Sequence, residues 1–470
     1  MGDSMEYFVI DREMTISFPR EASHPVLGEI LNQYTYGLPW KIVRDHDEYV
    51  ITAGAFTAAA RGENEFALSI TPGGVYIEGE TYPALMRGYV TFLEKIICYD
   101  KLLYKAECCT VLGTPGVGVR MVHLCLFPDE EISLNFIDKA IRLAAMSRYT
   151  HVILEFWGTL KLDALPALAW PFAYTKAQIR ELVAVARAMG LEVIPMLQHL
   201  GHAAMARQGA SGKHVVLDQA PEFEYLYLPG FYGWVWDYNK PVVRELLTKL
   251  RDELCELCGP GSYFLLGCDE ADDLGKGEGW KEVADGLCEF LNSVQADLAS
   301  KGRRAIMWGD MLLSQSELAK TNRGPGETYD ANSTVEFAEA MRQGLDRGIV
   351  IADWQYNITS EDWQSTEIFA RHGFDVICCV YSAMGTYGTA LNTMRKNHAL
   401  GFMKTTWNTV RREVVHIAFA GDVMYNGGGG LSYDVYSKTS SRVTSVLRKI
   451  KPCREYKDAG WLPVQINTPL

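Results

Sequence analysis

Two acidic side chains stand next to each other at the end of a short apolar run. Asp269 and Glu270 follow Cys268, which comes directly after the segment from Tyr263 to Gly267, and this segment has the composition of a buried strand. Mutual repulsion raises the pKa of one of two neighbouring carboxyl groups, so that one can hold a proton while the other stays charged. Because side chains alternate in direction along a strand, the two carboxylates would also approach different parts of one substrate. The pattern indicates general acid–base chemistry, with a solvated surface pair or a helix N-cap as the alternative.

Imidazole and indole side chains occur at equivalent places elsewhere in the chain. His202 comes shortly after the apolar run from Glu192 to Leu197. Three tryptophans close other such runs, namely Trp308, Trp354 and Trp407. A flat indole offers an apolar face to the C–H side of a sugar ring, so acids beside tryptophans suggest carbohydrate chemistry. The alternatives are a satisfied core histidine and tryptophans that only fill the core.

The elements that would position these residues alternate regularly. From about residue 117 onward, short apolar runs alternate with longer helical patterns, which is typical of βα units and a parallel sheet. Eight strands are predicted: Val119 to Leu126, His151 to Phe156, Glu192 to Leu197, Tyr263 to Gly267, Ala305 to Trp308, Val350 to Trp354, Asp375 to Val380 and Gly401 to Trp407. Helices are predicted between them, among them Lys176 to Met189, Pro241 to Cys258 and Lys281 to Lys301. The pattern favours a closed (β/α)8 TIM barrel, in which the residues after each strand share one mouth. No G-x-G-x-x-G follows the first strand, so a dinucleotide-binding sheet is not favoured.

The beginning of the chain has a different pattern. Runs from Tyr49 to Thr52, Glu65 to Ile70 and Gly74 to Glu78 predict strands of an antiparallel sheet, and Pro83 to Ile97 predicts a helix that covers one face of it. The turn-rich segment from Gly113 to Gly116 marks a change of rhythm. We therefore expect a small α+β domain over residues 1–112 and a catalytic barrel over residues 113–470.

Composition excludes several classes of function. The net charge is −13, from 45 basic and 58 acidic residues, which argues against a nucleic-acid partner. No apolar run is long enough to span a bilayer, so no membrane partner is expected. The 11 cysteines are an odd number and look like free thiols, and the first residues lack the pattern of a signal peptide. We expect a cytoplasmic protein, and the oligomeric state stays open, with a homodimer as one option.

We expect no metal and no cofactor. His199 and His202 do not form an H-E-x-x-H motif, and the pair Cys255 and Cys258 lacks a second pair at a zinc-binding spacing. The glycine run from Gly427 to Gly430 is not followed by Lys-Ser or Lys-Thr, so it is not a phosphate-binding loop.

The sequence around the two acids is similar to a known family. The segment from Leu265 to Glu270 resembles the G-x-D-E signature of glycoside hydrolase family 20, the β-N-acetylhexosaminidases, and its cysteine is similar to the intracellular hexosaminidase D branch. The segment from Trp308 to Met311 is similar to the family's G-W-D-E-M run. Comparable residues of that branch fall at three further places, namely Asp353-Trp354, Tyr381 and Thr406-Trp407. The resemblance covers most of the chain.

The resemblance implies a mechanism and a role for each site residue. Family members are retaining enzymes in which the substrate's own 2-acetamido oxygen is the nucleophile, an exception to the scheme with two carboxylates. Asp269 would orient the acetamido group and stabilise the oxazolinium charge, while Glu270 would protonate the leaving oxygen and then activate water. The remaining residues would bind the substrate: Arg120 at a sugar hydroxyl, His202 in support of Glu270, and Trp308, Trp354, Tyr381 and Trp407 around the sugar. The implied substrate is a glycan or glycoconjugate that ends in an N-acetylhexosamine.

Three positions depart from the family's pattern. Arg120 is followed by Met121 instead of glycine, so a structural ion pair is the alternative for this arginine. The Asp-Asp pair expected after the second strand is replaced by the segment from Glu155 to Gly158, so the acidic partner of the histidine is either absent or Glu155. Thr409 stands where a glutamate commonly binds distal hydroxyls. The choice between GlcNAc, GalNAc and a sulfated or otherwise modified sugar therefore stays open.

Two other functions fit the same residues. A barrel glycosidase with a protein nucleophile would need a second carboxylate on another strand, which Glu155 or Asp310 could supply. A non-catalytic glycan-binding relative would explain the altered segment at Glu155, although the retention of both Asp269 and Glu270 argues against it.

Overall fold

A computed structural model describes most of the chain. The described residues are 5–10, 14–17, 40–43, 51–54, 64–100, 103–126, 133–156, 158–171, 173–204, 216–318, 324–407, 410–429 and 431–449. None of the helices within these ranges has the length and apolar character needed to cross a bilayer.

Nine strands of the described residues precede the barrel and form two sheets. They are β1 (Tyr7–Ile10), β2 (Met14–Ser17), β3 (Trp40–Val43), β4 (Ile51–Gly54), β5 (Phe66–Thr71), β6 (Gly74–Gly79), β7 (Ile96–Asp100), β8 (Leu103–Glu107) and β9 (Cys109–Gly113). Strands β1, β8 and β7 form a small antiparallel sheet, and the other six lie in the order β3-β2-β4-β6-β5-β9. The predicted strand that starts at Tyr49 overlaps β4, and Tyr49 itself lies outside the described residues.

The six-stranded sheet is mixed. Strand β5 pairs antiparallel with β6 and with β9, whereas β2 is parallel to β3 and β4, and β4 is parallel to β6. Among the three predicted strands, the antiparallel pairing is confirmed for β5 with β6 and is wrong for β4 with β6, whereas β2 and β3 were not predicted. The short turn after Thr71 allows only a hairpin, but residues 18–39 separate β2 from β3, and a connection of that length permits a parallel crossover.

Helix α1 (Tyr82–Lys95) covers this sheet, as predicted. The side chain of Thr81 caps its first turn by accepting a hydrogen bond from the backbone N–H of Ala84. Gly88 allows a close approach to β6, because a Cβ there would lie 2.5 Å from the side chain of Ile77.

Eight parallel strands form the barrel. They are β10 (Val119–Leu126), β11 (His151–Phe156), β12 (Glu192–Pro195), β13 (Tyr263–Leu265), β14 (Arg304–Trp308), β15 (Val350–Trp354), β16 (Val376–Val380) and β17 (Gly401–Lys404). Their order is β12-β11-β10-β17-β16-β15-β14-β13, and a parallel bridge between Met196 and Leu265 joins the two ends. The predicted (β/α)8 barrel is confirmed. Three strands end earlier than predicted, because the chain leaves the sheet after Pro195, Leu265 and Lys404.

Helices surround the strands. They are α2 (Leu134–Met146), α3 (Lys176–Ala188), α4 (Val216–Gln219), α5 (Pro241–Cys258), α6 (Trp280–Ser300), α7 (Gln315–Leu318), α8 (Val335–Gly344), α9 (Gln364–Arg371), α10 (Gly385–Asn397), α11 (Val410–Tyr425) and α12 (Tyr433–Lys449), with short 3-10 turns at Pro166–Leu168, Pro221–Leu226 and Asp310–Leu312. A capping box of Thr175 and Gln178 starts α3. Gly259, with a φ of +72°, ends α5.

Side chains fill the interior of the barrel. The inward residues are almost completely buried, namely Met121, Ile153, Ile194, Leu265, Ile306, Val350, Ile377 and Met403. Trp354 and Trp407 are partly buried and pack on this layer. Because the interior is closed, a substrate can bind only beyond the ends of the strands, and in this fold the carboxyl ends carry the site.

Helix α1 contacts the barrel at the amino-terminal ends of its strands, opposite the carboxyl ends. The hydroxyl of Tyr82 donates to the backbone carbonyl of Ala188 at the end of α3. Arg148 forms ion pairs with Glu94 of α1 and, at 3.4 Å, with Asp422 of α11. The division into two domains at residues 112 and 113 stays a prediction, although β9 belongs to the first sheets and β10 to the barrel.

Candidate active site

Asp269 and Glu270 lie on a sharp turn over residues 266–270 that follows β13. We call it the catalytic turn, after the role predicted for the two acids. The backbone φ is +70° at Gly267, +73° at Cys268 and +53° at Glu270. A side chain at Gly267 would be strained by the positive φ, and its Cβ would lie 1.7 Å from Oε1 of Gln198, which would have to give up its bond to the backbone N–H of Cys268. Such conformations are unfavourable for residues other than glycine and cluster at functional sites. This turn separates the two carboxylates, so the expectation that strand alternation would do so is wrong, because β13 ends at Leu265.

The two acids differ in exposure and share one histidine. Asp269 is 6% exposed, whereas 42% of the side-chain surface of Glu270 is exposed. Nε2 of His202 lies 3.2 Å from Oδ2 of Asp269 and 3.0 Å from Oε2 of Glu270. The structure therefore brings His202 together with both acids. A buried carboxylate suits a fixed electrostatic contact, and an exposed one suits proton exchange with a leaving group and with water.

Trp234, on the connection between β12 and α5, holds this group from one side. Its ring packs on the imidazole of His202 with centroids 4.1 Å apart. Its Nε1 donates a hydrogen bond of 2.7 Å to the backbone carbonyl of Glu270. Gly201 allows the segment of His202 to approach the turn, because a Cβ there would lie 2.0 Å from the carbonyl oxygen of Asp269. Trp234 was not predicted from the sequence, where its only signal is an aromatic residue in a glycine-rich stretch.

Asp310, on the 3-10 turn after β14, fixes the other side of the catalytic turn. Its Oδ2 accepts hydrogen bonds of 2.9 Å from the backbone N–H of Glu270 and from Nδ2 of Asn332. Its Oδ1 accepts a bond of 3.1 Å from Nε1 of Trp354. Burial, reinforced by the negative charge of Asp269, raises the pKa of Asp310 to about 7. One buried carboxyl group thus connects the backbone of Glu270 with the indole of Trp354.

Five aromatic side chains form a wall at the ends of β14 to β17. Ring centroids are 5.6 Å apart for Trp308 and Trp407, 5.4 Å for Trp354 and Tyr356, and 5.6 Å for Tyr356 and Tyr381. Nε1 of Trp407 donates to the hydroxyl of Tyr356 at 2.7 Å, and the hydroxyl of Tyr381 donates to the carbonyl of Trp407 at 2.9 Å. The four aromatic residues singled out from the sequence therefore come together. Tyr356 was missed, although it stands two positions after Trp354.

Trp308 is the most deeply placed residue of the wall. It is 1% exposed, and its buried Nε1 has no hydrogen-bond partner within the described part of the chain. Its ring is therefore part of the barrel core as well as of the wall.

A chain of buried polar groups lies below the catalytic turn. Nε2 of His123 lies 2.9 Å from Oε2 of Glu155, and Nε2 of Gln198 donates to Oε1 of Glu155 at 3.1 Å. Oε1 of Gln198 then accepts the backbone N–H of Cys268 at 3.3 Å. Glu155 thus contacts His123 and Gln198, whereas His202 contacts Asp269 and Glu270, and a role of Glu155 as the acidic partner of His202 stays a prediction. The ring of His123 in turn lies 4.6 Å from that of Trp407, so the chain supports both the turn and the wall.

Arg120 is not in the site, which corrects the prediction that it binds a sugar hydroxyl. It lies at the amino-terminal end of β10 and is fully buried. Its Nε donates to the carbonyl of Arg148 at 2.6 Å, and its Nη1 donates to the carbonyls of Val117 and Gly118. Its Nη2 lies 3.3 Å from Oε1 of Glu65. The structural ion pair, the alternative considered for this residue, is what the structure contains.

Lys404, at the end of β17, supports the wall from below. It is fully buried, its Nζ lies 2.7 Å from Oε2 of Glu413, and it stands 5.1 Å from the ring centroid of Tyr381. Burial lowers the pKa of Lys404 to about 8, although Glu413 opposes the shift. Ser382 donates to the other oxygen of Glu413 at 2.8 Å. Thr409, one of the departures from the family's pattern, lies outside the described residues.

The two histidines after β12 have different surroundings. His199 is fully buried, with Nδ1 2.7 Å from the carbonyl of Leu197 and Nε2 3.2 Å from Nη1 of Arg251. Burial, together with the charge of Arg251, lowers the pKa of His199 to about 3, so it is neutral. Ligand atoms of His202, Asp269 and Glu270 lie within 4.8 Å of one another, a spacing that could hold an ion. The absence of a metal stays a prediction.

The sequence also matches a family model. The description of that model is glycosyl hydrolase family 20, catalytic domain, and it matches residues 161–418, which is more than half of the chain. The chain belongs to glycosyl hydrolase family 20. The matched segment contains the catalytic turn, Asp310 and the whole aromatic wall, so the family 20 match and the geometry coincide in the same part of the barrel.

Individual hexosaminidases are similar to the chain at low identity. Hexosaminidase D of Bos taurus is 30% identical over 207 residues, which is 41% of this chain and 56% of that protein. A β-hexosaminidase of Porphyromonas gingivalis is 22% identical over 360 residues, which is 66% of this chain and 44% of that protein. The chain thus spans about half the length of these relatives. The solved structure of the Streptomyces plicatus N-acetyl-β-hexosaminidase superimposes with a TM-score of 0.66 at 16% identity, covering 97% of this chain and 95% of that one, which supports the fold.

Proposed function

We propose that the protein is a retaining exo-β-N-acetylhexosaminidase that removes a terminal GlcNAc or GalNAc by substrate-assisted catalysis. The observation that carries this proposal is the arrangement of Asp269 and Glu270 on one turn, with one buried, the other exposed, and His202 between them. The aromatic wall beside them offers apolar faces for a sugar and its acetamido methyl group. Membership of glycosyl hydrolase family 20 supports the same chemistry.

In the first step the acetamido oxygen attacks C1 of the terminal sugar while the bond from C1 to the leaving oxygen breaks. Glu270 gives its proton to that oxygen, so that an alcohol and an oxazolinium ion result. In the second step water gives a proton to the carboxylate of Glu270 and attacks C1, which opens the oxazolinium ring and restores the acetamido group. Two displacements at C1 give retention of configuration.

Asp269 has the surroundings that its role requires. A carboxylate held by the turn can accept the acetamido N–H and stay charged opposite the positive oxazolinium. His202 contacts both acids, and in this proposal it keeps their side chains in place, as the second contact of a catalytic group commonly does. Asp310 holds the backbone of Glu270 and the indole of Trp354 at the same time.

The two carboxylates proposed as alternative nucleophiles are badly placed for attack. Glu155 is 3% exposed, and its two oxygens contact His123 and Gln198. Asp310 is 1% exposed, and its two oxygens accept three hydrogen bonds. A nucleophile supplied by the substrate removes the need for either. Retention of both acids in a shaped turn also favours catalysis over glycan binding alone.

Aryl glycosides and one inhibitor test the proposal. Nitrophenyl N-acetyl-β-glucosaminide and N-acetyl-β-galactosaminide should be hydrolysed, with plain β-glucoside and β-galactoside as controls. A thiazoline analogue of GlcNAc should inhibit strongly, because it imitates the oxazolinium. Turnover of the plain glycosides alone, or indifference to the thiazoline, would overturn the proposal.

We also infer that the enzyme works in a reducing compartment such as the cytoplasm. Nine of the 11 cysteines are described, and each is a free thiol. That state is what a reducing environment maintains.

A further inference from the structure

We propose that Asp330, on the connection between β14 and β15, hydrogen-bonds a ring hydroxyl of the terminal sugar in the candidate active site and so contributes to substrate choice. The inference rests on the proposed function, since it names a further contact to the same sugar. It concerns a residue that neither the motif of the two acids nor the tryptophans indicated.

The backbone of Asp330 is held on both sides by one side chain. Its N–H donates to Oε1 of Gln355 at 2.9 Å, and its carbonyl accepts from Nε2 of Gln355 at 3.4 Å. Gln355 is 1% exposed, and its Nε2 also donates to Oδ1 of the fully buried Asp353 at 2.9 Å. Ser365 and Thr366 of α9 donate to the other oxygen of Asp353. Asp330 is therefore fixed through buried contacts to the barrel.

The same connection reaches the catalytic turn. Asn332, two positions after Asp330, donates to the Oδ2 of Asp310 that also accepts the backbone N–H of Glu270. Gln355, which clamps Asp330, directly follows Trp354 of the aromatic wall. The connection that carries Asp330 is thus joined to the catalytic turn through Asn332 and Asp310, and Gln355 links Asp330 to the strand end that carries Trp354.

One carboxyl oxygen of Asp330 lacks a partner. Its Oδ2 is buried and makes no hydrogen bond within the described residues. Buried polar atoms in native proteins are nearly always paired, so an exception asks for a ligand or a water molecule. Burial, followed by the negative charges of Glu270 and Asp353, raises the pKa of Asp330 to about 7. This effect of Glu270 agrees with a position close to the catalytic acid.

A hydroxyl group fits this oxygen better than a cation does. A carboxyl group with a pKa near neutrality exists in charged and neutral forms at the pH of the cell. A hydroxyl can donate to the charged form and accept from the neutral form, whereas an ammonium group can only donate. A sugar ring supplies such hydroxyls at C3, C4 and C6, and each is a position at which substrates differ.

Deoxygenated substrates test the assignment. The wild type, Asp330→Ala and Asp330→Asn would be compared on a nitrophenyl N-acetyl-β-hexosaminide and on its 3-, 4- and 6-deoxy analogues, in the gluco or galacto series that the wild type hydrolyses. For one analogue, kcat/KM of the wild type should fall by about tenfold or more. Asp330→Ala should lose about the same factor on the parent and lose nothing further on that analogue, as a double-mutant cycle requires for two groups in contact. Asp330→Asn retains an acceptor oxygen and should keep part of the discrimination.

Asp272→Asn is the matched control, because Asp272 is also an acid near Glu270 but is exposed. Partial burial of its carboxyl group, followed by the charge of Glu270, raises its pKa. This variant removes a neighbouring charge without the proposed contact, so it should keep the wild-type discrimination among all four substrates. Equal losses on all four substrates in both Asp330 variants would overturn the assignment and leave the proposed function standing. A wild type that does not hydrolyse the parent would instead overturn the proposed function, and the assignment with it.

Discussion

Both ends of the barrel contain buried charged side chains, but their arrangement is opposite. At the amino-terminal end, Arg120 donates to three backbone carbonyls and contacts Glu65, which also lies 2.7 Å from Arg87. At the carboxyl end, three acids of the same sign, Asp269, Glu270 and Asp310, surround one turn. Opposite charges are neighbours around Glu65, whereas like charges are neighbours around the catalytic turn, and the buried pair of Lys404 and Glu413 lies apart from that turn, below the aromatic wall.

This difference indicates that Arg120 and Glu65 serve stability, whereas the acids of the catalytic turn serve the proposed chemistry. Removing one partner of a buried ion pair is costly, because it leaves the other partner uncompensated. Like charges in a buried position raise a pKa and cost stability, and they are retained where proton transfer needs them. The strained backbone of Cys268 and Glu270 belongs to the turn with the like charges. Burial alone does not distinguish Arg120 from the acids of that turn, whereas the signs of the neighbouring charges do.

The largest expected effect is at the carboxyl end. Glu270→Gln should lower kcat/KM on a natural glycoside by about 10²- to 10⁴-fold, because the general acid is lost. The melting temperature should change little, since the side chain is partly exposed. The test measures kcat/KM on a natural disaccharide and the melting temperature, each for the wild type and for Glu270→Gln. A variant that keeps its activity would remove Glu270 from the mechanism.

The next largest effect is expected at the amino-terminal end, where stability should fall while kcat/KM should not change. Arg120→Met should lower the free energy of unfolding by about 3 kcal/mol, because it leaves three buried carbonyls without their donor and Glu65 with Arg87 alone. kcat/KM of the folded protein should stay at the wild-type value. Lys281→Met is the control, since Lys281 forms an exposed pair with Asp285 and should change neither quantity measurably. If Arg120→Met instead raises KM for the substrate, Arg120 takes part in substrate binding after all.

A smaller effect concerns pH. The folded-state pKa of Asp310 is raised from 3.8 to about 7, so between these values the folded protein binds more protons than the unfolded chain. Stability should therefore fall as the pH rises through this window. Asp310→Asn should flatten part of this slope in denaturant titrations at pH 5, 6 and 7. If the slope of the unfolding free energy against pH is unchanged, the pKa of Asp310 is not raised by its burial and by the charge of Asp269.

The smallest effect concerns the aromatic wall. Trp407→Ala should weaken the binding of substrate and thiazoline by about 1 kcal/mol or more, beyond any change in melting temperature, because a stacking surface is lost. Trp354→Ala should behave in the same way. If binding is unaltered in the protein that remains folded, Trp407 belongs to the core and not to the site.

The sequence predicted the barrel and the position of the two acids near a strand end, because both depend on local patterns. Alternating runs predicted eight strands in the right order, and the acids lie a few residues after one of them. Arg120 was misassigned although the chain contained the reason against it. It stands at the start of β10, and six residues of strand place it about 20 Å from the carboxyl end, where the chemistry of this fold lies.

Contacts between distant segments could not be predicted in this way. Glu155 pairs with His123 because β10 and β11 are neighbours in a particular register, which no local pattern specifies. Trp234 and Asn332 come from long connections whose paths depend on packing. The conformation of the catalytic turn depends on Gly267 and on the side chain of Gln198, which lies 69 residues earlier in the chain.

The most direct test of the account compares Asp269→Asn with Glu270→Gln on two leaving groups. Asp269 is proposed to act on the acetamido group and Glu270 on the leaving oxygen, so the two variants should fail differently. Asp269→Asn should lose rate to a similar extent on a nitrophenyl glycoside and on a natural disaccharide, because a neutral amide cannot stabilise the oxazolinium in either case. Glu270→Gln should lose far more on the disaccharide, whose leaving group needs a proton. Selective loss on the disaccharide by Asp269→Asn, with equal losses by Glu270→Gln, would contradict the account and reverse the two roles.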